Sequence, residues 1–359
     1  MKTLIFCGSV LMAVFLAASV THAQDEGMRL RVQVMLVEVN VAVTDSKGNY
    51  VRNLKPEDFI VTEDNIPERL ATFEEGSDSP RLVLNRSGGG TQSSSSSTTA
   101  TEVRTTNPSE SDLFVLFDTS NYMYRGFVFA QDSIADFIRS LEGVDRIALY
   151  SYSRNLSRVV PLTDDRSKIL HGVRETVAGD DAALYNGLLM TVKDAAPLNG
   201  RKAIVVFSNG PDNASLVPPE DIAELAQSTG TIIYMISTRD AQTEPISSTV
   251  FERITKATGG KAYFAKNWQD ERQAFGSIQN DLTHLYSLSY YPQINPNQGF
   301  RKITVKLVGK ERQKYHIRTR EGYRVLHQSA TPADDAGTAM AAPPTPQESG
   351  SKQAGLAPQ

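Results

Sequence analysis

The stretch Phe117-Asp118-Thr119-Ser120-Asn121-Tyr122 closes an apolar run with an acid and two small hydroxyl residues on one short loop. A carboxylate and hydroxyls gathered after a strand are the donors a hard cation such as Mg²⁺ or Ca²⁺ takes, since it wants about six oxygens around it. Tyr122 interrupts that pattern, an aromatic standing among the small hydroxyl residues. Other chemistries find less support. The only cysteine, Cys7, stands in an apolar N-terminal stretch, which excludes zinc–thiolate and cysteine-nucleophile sites from the rest of the chain. His171, His284, His316 and His327 are scattered with no metal-ligand spacing. There is no G-x-S-x-G elbow and no G-x-x-x-x-G-K-[ST] phosphate loop, and TGGK at 258–261 reads as a turn entering a strand. A phosphotransferase using Asp118 as nucleophile would want a second acid nearby and a lysine placed on a later strand end, and no such motif accompanies DTS. The reading is therefore a non-enzyme.

The net charge of −4 comes with no basic run, which argues against a nucleic-acid partner. The N-terminal residues combine Lys2, an apolar stretch to Val20 and small residues before Ala23, the form of a secretory signal peptide over 1–23. The expectation is export to the periplasm or the extracellular space, with no integral membrane span after signal cleavage. Such a mature chain has no disulfides and depends on core burial.

The elements that must carry the loop fall into three blocks. From Arg29 to Val43 the residues alternate apolar and polar, and DFIVTED and ERLATFEEG add short strands, giving a β segment over 28–78. A Ser/Thr/Gly-rich linker is expected over 79–111. Strand and helix patterns then alternate from 112 to 285, with SRVVPL as an antiparallel edge strand and a final helix from about Gln269 to Leu285. Continuous apolar strands separated by helices predict a doubly wound, mostly parallel sheet. Alternating strands return over 286–326, and a Pro/Ala/Gln-rich tail expected to be disordered occupies 327–359. Neither β segment alone can cover a core, so the two are expected to pair into one sandwich.

In order along the chain, VLFDTSNYM, DRIALYSYS, LTDDRSKI, AALYNGL, VVFSNGPDN and ATGGKAYFA resemble the von Willebrand factor type A domain, as found beside an immunoglobulin-like sandwich in bacterial exported proteins. The resemblance implies a Rossmann-like α/β domain over 112–285, inserted into the β-sandwich. It also implies a metal-ion-dependent adhesion site on the loops at the carboxyl ends of the strands. Carried over, Asp118 and Ser120 match the first acid and first serine of that site. Tyr122 replaces its second serine, Ala182 its threonine and Asn209 its second acid, so the site is degenerate. Asp180, Asp181 and Asp212 border the same rim and could supply oxygens from neighbouring positions. The aromatics Tyr122, Tyr124 and Phe127 can serve as contact residues or pack inward. Trp268 is expected in a core or at a domain junction.

These observations give an exported, non-enzymatic protein-binding module that engages another protein through the rim, without a metal. Two alternatives stand beside it. One is an adhesion module in which Asp118, Ser120 and Asp181 hold Mg²⁺ or Ca²⁺; the other is a structural or assembly component of an envelope complex.

Overall fold

The computed structural model describes residues 36–76, 81–83, 110–238 and 245–325. The segments expected as signal peptide and tail, and most of the expected linker, lie outside these residues. Strand β1 (Val37–Thr44) is followed by β2 (Phe59–Glu63), β3 (Ile66–Glu68), β4 (Leu70–Glu75) and the two-residue β5 (Arg81–Leu82). Arg81 and Leu82, assigned to the linker by composition, pair with Phe73 and Thr72 as an edge strand.

The α/β unit begins with β6 (Ser111–Asp118), every residue of which is buried, as a central strand between two helical layers requires. It continues through α1 (Phe127–Ser140), β7 (Arg146–Tyr152), β8 (Leu156–Thr163), α2 (Arg166–Glu175), α3 (Leu184–Ala195) and β9 (Arg201–Ser208). It closes with α4 (Pro219–Thr229), β10 (Thr231–Ser237), α5 (Pro245–Thr258), β11 (Ala262–Phe264) and α6 (Trp268–His284). The six-stranded sheet has the order β11-β10-β9-β6-β7-β8. β8 is its antiparallel edge, as expected for SRVVPL, and the other pairings are parallel. The apolar faces of α1, α2 and α6 form one core layer, and those of α3, α4 and α5 form the other.

Helix α6 runs directly into β12 (Tyr286–Tyr290), followed by β13 (Phe300–Leu307), β14 (His316–Arg318) and β15 (Gly322–Arg324). β12 lies between β1 and β4, antiparallel to both, and β13 pairs with β2. The two distant β segments thus build two facing sheets, β14-β1-β12-β4-β5 and β15-β13-β2-β3. Their inner faces meet in a core of Val39, Val41, Phe59, Leu288, Tyr290 and Ile303, among others. The α/β domain is inserted into this sandwich, and long-range pairing supplies the layer that each segment lacks.

Candidate functional site

Chain order reverses direction across the sheet at β6, with β7 on one side and β9 on the other. The loops after β6 and β9 therefore diverge and leave a crevice at their carboxyl ends, where open α/β sheets place ligands. Asp118 ends β6 at the floor of that crevice and is fully buried. One carboxylate oxygen accepts the Ser120 backbone N–H at 2.9 Å. The other accepts the Ser208 hydroxyl at 2.9 Å and, more weakly, the Asn209 backbone N–H at 3.4 Å. Ser208 in turn accepts from the Tyr152 hydroxyl at 2.9 Å and from the Gly210 N–H at 3.0 Å. Gly210 takes φ of 107°, a left-handed conformation a side chain would strain. Burial pushes the Asp118 carboxyl above its ordinary range, and the Ser120 and Ser208 bonds only partly offset this. Burial also holds the Tyr152 phenol well above its usual value. Tyr152 and Ser208 lie 56 residues apart, and no local pattern points to this network.

The remaining predicted positions are committed to holding loops together. The Asn209 amide donates to the Tyr122 carbonyl, and its oxygen accepts from Thr238 at the end of β10. An aspartate there would have no N–H to offer Tyr122. Ala182 is buried in the core; its N–H donates to the Asn213 side chain at 2.8 Å, and its carbonyl accepts the N–H groups of Asn213 and Ala214. Neither Ala182 nor Ala183 can cap α3, so Asp212 does so from the neighbouring loop by accepting the Tyr185 N–H at 2.9 Å. Asp212 also accepts from Ser215. Asp181 pairs with Arg154, whose hydrogen bond holds its carboxyl below the usual range. The Asp180 backbone carbonyl accepts the Asn121 N–H at 2.7 Å.

Among the described residues, no three of His, Cys, Asp and Glu gather as a metal-binding group. The donor set does not fit a six-oxygen shell. The Tyr122 ring packs against the core layer and brings no short aliphatic hydroxyl to the loop, the Ala182 side chain has no oxygen, the Asn209 amide is used in bridging, and both Asp118 oxygens already accept protein donors. One atom is left over: the Ser120 hydroxyl is buried without a hydrogen-bond partner.

The aromatic residues divide. Phe127 is partly buried and stacks on Phe117 with ring centroids 5.4 Å apart, and Tyr122 packs against the α3 core layer. Tyr124 is 75% exposed on the rim, with Leu216 93% exposed on the loop after β9. Trp268, expected in a core or at a junction, is instead 55% exposed at the start of α6, with the Arg272 guanidinium over its ring at 5.0 Å. It is the first residue of α6, just after Asn267, whose side chain caps the helix by accepting the Gln269 and Asp270 N–H groups. Tyr122, Tyr124, Asn209, Thr238 and Trp268 help line a cavity of about 680 Å³.

Residues 112–280 match the family model of the von Willebrand factor type A domain. Among solved structures, BatB from Bacteroides thetaiotaomicron is similar at 14% identity and a TM-score of 0.40, covering 48% of this chain and 97% of that one. The vWF domain of the type V pili tip protein Mfa5 from Porphyromonas gingivalis is similar at 13% identity and a TM-score of 0.40, over 47% and 94% of the two chains. A von Willebrand factor type A protein from Catenulispora acidiphila aligns at 12% identity and a TM-score of 0.40, over 59% and 66%. No curated protein matches the sequence. Among the described residues, no helix is long and apolar enough to cross a membrane.

Proposed function

We propose that this chain, which carries a von Willebrand factor type A domain over residues 112–280, is an exported, non-enzymatic protein-binding module that engages its partner through the rim without a bound cation. One observation carries the reading. The Asn209 side chain ties the Tyr122 carbonyl to Thr238, so the position that would supply a charged metal ligand instead holds the loop presenting Tyr124. Tyr124 offers exposed aromatic area on the lining of the cavity of about 680 Å³, and Leu216 stands exposed on the loop after β9. Tyrosine suits this role because it buries much area while keeping a polar tip. Export to the periplasm or extracellular space rests on the N-terminal sequence pattern.

Cation-dependent adhesion is a second reading, favoured by the unpartnered Ser120 hydroxyl beside Asp118. Capture from the envelope fraction of the exporting cell decides between them, with the immobilised chain tested in chelator and in millimolar Mg²⁺. The expected result is the same captured protein in both, reduced about tenfold or more by Tyr124→Ala with Leu216→Ala, as loss of a contact hot spot would give. Capture that requires Mg²⁺ would overturn the metal-independent reading. Capture that survives the rim substitutions but is lost on charge substitution in β3 would place the contact on the sandwich.

A further inference from the structure

Glu271, on the first turn of α6, lines the rim cavity together with Tyr124, Phe129 and Trp268. It is half-buried, and one of its carboxylate oxygens accepts the Ser133 hydroxyl at 3.3 Å, a long bond. Among the described residues, no other hydrogen bond and no ion pair reaches its side chain. Arg125 also lines the cavity, but it is exposed and makes no ion pair with Glu271. Arg272 lies over the Trp268 ring at 5.0 Å and borders the neighbouring hollow between α1 and α6 instead. The acids of that second hollow do have cations: Asp136 pairs with Arg139, and Asp132 with Arg174. Glu271 is thus an uncompensated carboxylate among aromatic rings.

An acid on a first turn can serve the helix N-terminus. In α6 that end is already served by the Asn267 cap and by Asp270, which accepts the Lys266 N–H at 2.9 Å and the Asn267 amide at 3.1 Å. Burial raises the Glu271 carboxyl above its ordinary range, and the adjacent Asp270 adds to the rise, so neither the helix end nor Ser133 makes up for the lost water. A carboxylate beside exposed ring faces is complementary to an organic cation, which gains both an ion pair and cation–π contact. A guanidinium fits best, because it is planar, weakly hydrated and able to stack while donating to a carboxylate. Arg272 already places one over Trp268. We propose that the rim cavity receives an arginine side chain of the protein partner, its guanidinium paired with Glu271 and stacked against Trp268 and Phe129. The inference rests on the rim being the partner-binding face.

Trp268 is the sole tryptophan and lines the cavity, so its emission reports occupancy in the full chain without any partner protein. The probes are N-acetyl-arginine methylamide, its uncharged citrulline counterpart of the same shape, and N-acetyl-lysine methylamide, all at constant ionic strength. The arginine probe is expected to change the emission saturably at about millimolar concentration, with the other two weaker by about tenfold. Glu271→Gln keeps the shape and an acceptor for Ser133 but loses the charge, and should weaken the arginine probe about tenfold. It should also lower capture of the partner from the envelope fraction by about as much. An emission indifferent to the arginine probe, or answering equally to citrulline or lysine or in the Glu271→Gln chain, would overturn the proposal. So would capture reduced by Tyr124→Ala with Leu216→Ala but not by Glu271→Gln, an outcome that leaves the rim reading standing. Capture indifferent to both sets of substitutions would sink the rim reading and this inference together.

Discussion

Asp118 and Asp281, two of the buried aspartates among the described residues, lie at opposite ends of the same α/β domain, and their surroundings differ. Asp118, at the carboxyl end of the sheet, is held by a serine hydroxyl and two backbone N–H groups, with no cation among its partners. Asp281, on α6 near the sandwich, accepts from the Tyr50 hydroxyl at 2.6 Å and the Tyr234 hydroxyl at 2.8 Å. It is also paired with Arg318 of β14, whose Nη2 lies 2.5 Å from one carboxylate oxygen and bonds the other. The charge at the junction is thus neutralised within the chain, while the charge at the rim is only solvated by neutral dipoles. Two further arginines strengthen the junction: Arg201 of β9 reaches Glu74, Gly76 and Leu282, and Arg320 reaches Gln227 and Glu38. One end is a clamp between domains. The other keeps a polar floor beneath loops that present a surface.

The largest effect is expected at the clamp. Arg318→Leu leaves Asp281 buried with two tyrosines and no counter-charge, and stranding one member of a buried pair costs about 3 kcal/mol or more. Because Arg318 joins β14 to α6, the loss should destabilise both domains together, lowering the urea midpoint in a single transition. Two separated transitions, or an unchanged midpoint, would contradict the coupling.

At the rim, Asn209→Asp is expected to cost less, about 2 kcal/mol, since it removes the donor to Tyr122 and sets a second carboxylate beside Asp118. Converting Tyr122→Ser, Ala182→Thr and Asn209→Asp together restores two hydroxyls and one charge, so Mg²⁺ should then raise the melting temperature as a bound ligand does. The natural chain should show no such rise at millimolar Mg²⁺. A clear rise there, abolished by Asp118→Ala, would make the two ends alike, each with a cation for its aspartate.

What the sequence could foretell follows the same division. Period-two alternation in VEVNVAVT and YSLSY marks both β segments, and the need to cover their apolar faces points to one shared sandwich, though not to the particular pairing of β1 with β12 that builds it. The apolar run ending at Asp118 located the floor of the crevice. Residue types also showed that Tyr122, Ala182 and Asn209 break the metal pattern. They did not show what those residues do instead, because the partners are distant: Asn209 bonds Tyr122 across 87 residues, and Asp212 caps a helix 27 residues earlier. Such contacts carry no periodicity. Trp268 was misplaced because an aromatic at a helix start looks the same in sequence whether it faces a core or solvent.

The smallest expected effect tests the electrostatic side of the comparison. Folding raises the Asp118 carboxyl above its ordinary value of 3.8, because burial penalises the ionised form more than the surrounding dipoles repay it. A carboxyl with a raised folded-state pKa contributes stability that is full while it is protonated in both states. That contribution is lost as pH rises through the folded-state value. Asp118→Asn keeps an oxygen for the Ser120 N–H but has no ionisation to penalise, so its stability lacks this dependence. Relative to the natural chain, the variant should therefore gain ground as pH rises from the ordinary carboxyl value of 3.8 through the raised folded-state value, even if losing the Ser208 bond makes it less stable at acid pH. Unfolding in urea across that range measures the difference. Were a cation or an unseen positive charge neutralising Asp118, the slope would reverse, with the natural chain gaining on the variant as pH rises, as expected for an aspartate paired like Asp281.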